Sequence, residues 1–87
     1  MKTVLKYQLE HVDVQLLWMP IAAKLLHSDI QYGKMTLWFL VDNDTPTVCP
    51  RVFIYGTGVP IPDNHGEHVG TFVLRDGTLV LHAFMHT

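Results

Sequence analysis

The sequence predicts an all-β fold, a small single-domain β-sandwich or partly open barrel of six to seven mostly antiparallel strands. Three observations predict it. Apolar residues recur with period two through most of the chain, turn-forming clusters interrupt them roughly every 8 to 12 residues, and the best helix-forming stretch is cut by Pro20. Residues 3–9 alternate Thr3, Leu5, Tyr7 and Leu9 against Val4, Lys6 and Gln8, which marks a strand with the Leu5, Tyr7, Leu9 side inward. Val14 to Met19 reads as a second short strand stopped by Pro20. Residues 14–27 also contain good helix formers, but one long helix would carry a penalty of about 3 kcal/mol at the proline. Strand, turn, and a further strand from Ala23 to Gln31 is the preferred reading. After Tyr32-Gly33, Lys34 to Asp42 is the most apolar strand, with Met35, Leu37, Phe39 and Val41 on one side and Thr36, Trp38 and Leu40 on the other. Both sides call for cover, as in a central strand. Asp42 to Pro46 is turn chemistry. Val48 to Tyr55 follows, with Pro50 confining its start to an edge or a bulge. His68 to Leu74 and Thr78 to His86 form a hairpin around Arg75-Asp76-Gly77, since Asp-Gly between apolar runs is a strong hairpin signal.

The stretch Arg51 to Asp63 changes character midway. Val52, Phe53, Ile54 and Tyr55 suit a pleated surface. Gly56 and Gly58 then open backbone angles closed to other residues, and Pro60 and Pro62 end the ladder. A strand therefore delivers Gly56-Thr57-Gly58 to the surface at the head of the longest irregular segment, Gly56 to Glu67.

Composition narrows the function. The chain has 87 residues, 48% of them hydrophobic and 16% charged, against about 25% charged in typical globular chains. Such a chain buries roughly 60 to 65% of its unfolded surface, so the excess of apolar residues implies self-association into a homo-oligomer. A net charge of -2 with scattered basic residues argues against a broad nucleic-acid or anionic-membrane footprint. The single cysteine, Cys49, fits a reducing compartment. No signal-peptide pattern or membrane-length apolar run is present, and the expected location is cytoplasmic.

Several blocks occur in order along nearly the whole chain: Lys6-Tyr-x-Leu9, Leu37-Trp-x-Leu-Val-Asp42, Tyr55-Gly-Thr-Gly-x-Pro-Ile61, Val69-Gly-Thr-Phe72 and Gly77-x-Leu-Val-x-His-x-Phe84. Together they resemble a family of small uncharacterised bacteriophage and prophage proteins. The resemblance implies a viral accessory protein in the host cytoplasm, of a kind that often modulates host machinery, including anti-phage defence. It implies no mechanism.

Gly56-Thr57-Gly58, with Arg51 and Tyr55 nearby, is the candidate ligand site, because glycine-flanked amides converge on anions and arginine adds a fixed charge. The competing reading is a plain strand-to-loop turn. His65 and His68, beside Asp63 and Glu67, carry metal-competent groups, but a site needs further ligands, with His82 or His86 as the available sources. No metal and no cofactor is expected. His82 alternates with Val80 and Phe84 and has no Ser or Cys nucleophile motif beside it, so no enzyme is expected. Trp38 and Phe53 are the candidate interface anchors, since aromatic residues dominate contact energetics. The reading is a non-enzymatic, oligomeric binding protein that inhibits a host factor by contacting a protein or by sequestering a small anionic, nucleotide-like ligand. A minor structural or assembly protein of the virion is the alternative.

Overall fold

Each long strand of the computed structural model, which describes residues 1–87, follows from the period-two alternation just described. Nine strands run in chain order: β1 Lys2–Gln8, β2 Val14–Leu16, β3 Met19–Pro20, β4 Lys24–Gln31, β5 Lys34–Asp42, β6 Thr47–Val48, β7 Arg51–Gly56, β8 Glu67–Leu74 and β9 Leu79–His86. They form three antiparallel sheets, ordered β1-β5-β4, β2-β7-β9-β8 and β3-β6. None closes into a barrel. No helix is long and apolar enough to cross a membrane.

The three-stranded and four-stranded sheets enclose the core. Met35, Leu37, Phe39 and Val41 all point inward from β5 and meet Val52 and Ile54 of β7, Leu81 and Ala83 of β9, and Val69 and Phe72 of β8. The opposite side of β5 is less uniform. Thr36 is fully buried, with its hydroxyl donating to the Lys34 carbonyl at 3.0 Å, while Trp38 and Leu40 are half-buried on the outer face.

Prolines account for nine strands where six or seven were expected. Pro50 separates β6 from β7, and its carbonyl accepts from the Leu17 amide at 3.0 Å. That bond turns Leu17 into the core between β2 and β3, leaving Met19 and Pro20 to pair with Val48 and Thr47. Residues 14–27 hold no helix, but the single strand expected from Val14 to Met19 is split into β2 and β3, Pro20 lies within β3 opposite Thr47, and the turn falls at Ile21-Ala22 before β4.

The two main sheets approach on one side only. Bulges at Leu26 in β4 and Val69 in β8 bend these edge strands, and β4 packs beside β8. Gly70 makes this approach possible: a Cβ there would meet the Phe72 ring at 2.8 Å and the Ser28 Cβ at 3.0 Å. At the other side β1 overhangs, and no strand except β5 lies beside it. The sandwich is closed at β4 and β8 and open at β1 and β2.

Candidate ligand-binding face

Alternation along β7 buries Val52 and Ile54, which sends Arg51, Phe53 and Tyr55 to the outer face of the four-stranded sheet. Register then decides their neighbours, because directly opposed residues share a face. Arg51 lies opposite His86, Phe53 opposite Phe84, and Tyr55 opposite His82 on β9. On β8, His68 lies opposite Phe84 and Thr71 opposite His82. The outcome is a surface of aromatic rings, imidazoles and one guanidinium.

The loop after β7 covers part of this surface, and Gly66 is what docks it. Gly66 has φ +80°, and a Cβ there would run into the Met85 carbonyl, coming within 2.9 Å of its carbon. No other residue suits that angle and that closeness together. The preceding residues are thereby held over the sheet. Arg51, Phe53, Tyr55 and His86 from the strands and Pro62, Asn64 and His65 from the loop line a cavity of about 240 Å³.

Ring packing fixes the walls. Phe53 and Tyr55 are stacked with centroids 6.5 Å apart, and Tyr55 meets Phe84 edge-on at 5.8 Å. Phe84 is flanked by His65 at 4.9 Å and His68 at 5.3 Å. The Arg51 guanidinium lies 5.9 Å from the Phe53 centroid, a cation-π arrangement. No carboxylate lies within 4.0 Å of Arg51. Its charge faces the cavity without an internal counter-ion, beside flat apolar rings and the donor and acceptor groups of Asn64 and the two histidines.

A second polar feature crosses the same face. Thr57 Oγ1 lies 2.7 Å from His82 Nε2, His82 Nδ1 lies 3.0 Å from Thr71 Oγ1, and Thr71 Oγ1 lies 2.9 Å from His68 Nε2. Every contact is satisfied with the protons running in either direction: Thr57 to His82 Nε2, His82 Nδ1-H to Thr71 and Thr71 to His68, or His68 Nε2-H to Thr71, Thr71 to His82 Nδ1 and His82 Nε2-H to Thr57. This row locks both rings in orientation.

The residues singled out in the sequence thus divide. Arg51, Tyr55 and Phe53 converge on the cavity. Gly56, Thr57 and Gly58 sit at the opposite end of β7, where the Thr57 amide donates to the Val80 carbonyl at 3.3 Å and the Val59 amide to the Gly56 carbonyl at 3.2 Å. Two of the amides around the Gly-Thr-Gly turn are consumed by the fold, and its hydroxyl is held by His82. Trp38 lies on the other outer face, 5.6 Å from the His27 ring. It and Phe53 therefore belong to different surfaces. His65 and His68 flank one phenylalanine, with His65 Nδ1 against the Gly66 carbonyl at 2.6 Å, and no group of three or more His, Cys, Asp and Glu side chains is disposed to hold a metal. Pro62, Asn64 and His86 carry no local sequence signal for the site. His86 is found only by knowing that β7 and β9 pair in this register.

No curated protein and no solved structure matches the chain. A family model described as a domain of unknown function, DUF7352, matches residues 1–87, and the chain belongs to that family.

Proposed function

We propose that this protein is a non-enzymatic binding protein that takes a small anionic ligand bearing a flat ring, of nucleotide type, on the outer face of its four-stranded sheet, and that it self-associates. The observation carrying the reading is the convergence of Arg51, unpaired with any carboxylate, with Phe53, Tyr55, His65 and His86 around one cavity. A guanidinium recognises phosphate through paired N–H donors. Aromatic side chains stack on bases without regard to their identity. In the viral setting implied by the sequence blocks, sequestering such a ligand or contacting a host protein would blunt a host defence.

Calorimetric titration with a panel of mononucleotides and cyclic nucleotides tests the reading. At least one member binds the wild-type chain. Arg51→Gln weakens that binding roughly tenfold to a hundredfold, the equivalent of about 1.5 to 3 kcal/mol for a charge-assisted hydrogen bond. Absence of heat with every member removes the ligand half of the proposal.

A further inference from the structure

The sandwich has four edge strands, and three are guarded. β4 and β8 are bulged and pack beside each other, and β2 is only three residues long. β1 is seven residues long, contains no bulge and no proline, and has a strand on one side only. An unguarded edge of that length is a template for another strand.

The backbone bonds fix which groups are free. The Leu9 amide donates to the Met35 carbonyl at 2.8 Å and the Asn43 amide to the Met1 carbonyl at 3.0 Å. Both pairs keep the β1–β5 register, so the odd-numbered residues of β1 are bonded to β5. The amides and carbonyls of Lys2, Val4, Lys6 and Gln8 therefore point away from the sheet. Their side chains lie on its exposed outer face, while Thr3, Leu5 and Tyr7 on the inner side are only half-buried.

We infer that β1 pairs antiparallel with β1 of a second copy of this chain, around a two-fold axis at Leu5. This rests on the self-association part of the proposed function and names its surface. With the axis at Leu5, Val4 pairs with Lys6 of the partner subunit and Lys2 with Gln8 of the partner subunit, so all four outward residues find backbone partners. Leu5 meets Leu5 of the partner subunit on the inner face, extending the core. The neighbouring registers are poorer. An axis at Lys6 places lysine opposite lysine, and an axis at Val4 places Lys2 opposite Lys6 of the partner subunit; like charges directly opposed are destabilising. Lys6 is also drawn along its own sheet, donating to Gln31 Oε1 at 2.8 Å and lying 5.7 Å from the Tyr32 centroid, which leaves room for Val4 of the partner subunit. The two three-stranded sheets become one continuous sheet, with no edge left at β1.

Light scattering over a concentration series, on the wild type and on three substitutions at the exposed Val4, tests this. The wild type is a dimer. Val4→Lys opposes like charges twice across the axis and weakens the dimer roughly tenfold, whereas Val4→Glu faces Lys6 of the partner subunit and tightens it. Val4→Pro removes an outward amide, which an edge strand tolerates, and gives a folded monomer by circular dichroism. A dimer indifferent to all three places self-association on another surface and overturns the β1 pairing alone. A wild type that stays monomeric at every concentration overturns both the pairing and the self-association.

Discussion

Asp42 shows how much a single polar side chain does at the end of an apolar strand. Its Oδ1 accepts from the Asp44 amide at 3.0 Å and from the Met1 ammonium at 3.1 Å, and its carbonyl accepts from the Thr45 hydroxyl at 2.7 Å. The Asp44 amide first, and the Met1 ammonium second, hold the carboxyl below its ordinary value. A lowered carboxyl contributes stability that is present at neutral pH and lost as the pH falls through the lowered value. Asp42→Asn keeps an acceptor for the turn but removes the charge. It is therefore less stable than the wild type at neutral pH, and the difference closes under acid, as urea midpoints at the two conditions will show. Elsewhere, side chains with an evident alternation were legible from the sequence: Leu5 and Tyr7 face inward as expected, and the same period of two puts Arg51 and Tyr55 on one face. His86 was not legible as a cavity residue. Its proximity to Arg51, 35 residues away in sequence, is created by the antiparallel pairing of β7 with β9, which no local pattern records.

Elements that depend on one strand's own pattern followed the sequence closely, and those that depend on two strands did not. β5 begins and ends where its apolar alternation does, and the β8–β9 hairpin turns at Arg75, Asp76 and Gly77, all at positive φ. The bulges in β4 and β8 have no such signature. They arise because two edges must meet at Gly70, a packing constraint between sheets. Two glycines make that dependence measurable. Gly70→Ala pushes a methyl group against Phe72 and Ser28, and such overpacking costs about 1 to 3 kcal/mol, read as a lower denaturant midpoint. Gly66→Ala combines a left-handed backbone angle with a clash against backbone, and it releases the loop carrying Asn64 and His65. Ligand affinity falls with it, whereas Gly70→Ala, on the inner side of the sheet, lowers stability and leaves affinity near the wild-type value.

For the whole molecule, thinness is the governing fact. The chain spans 41 × 30 × 17 Å, which is two sheets roughly 10 Å apart with their side chains. Its core holds only 13 buried hydrophobic residues, and Trp18 is 67% exposed, with Leu16 at 57%. Phe39, 1% exposed at the centre of β5 and met edge-on by Tyr7 at 5.9 Å, is one of the largest side chains in this small core, so Phe39→Ala costs about 3 to 5 kcal/mol and leaves little of the total stability of so small a domain. The apolar excess seen in the composition is distributed over both outer faces. One face gathers rings around Arg51; the other carries Trp38, Leu40 and Val4 beside the open β1 edge. The most direct test of the ligand face is to follow backbone amide and side-chain resonances while titrating the best-binding nucleotide. Shifts concentrated on Arg51, Phe53, Tyr55, Asn64, His65 and His86 are the expected result. Shifts confined to the Trp38 face or the Gly56 to Gly58 turn, with the Arg51 cavity silent, would contradict it.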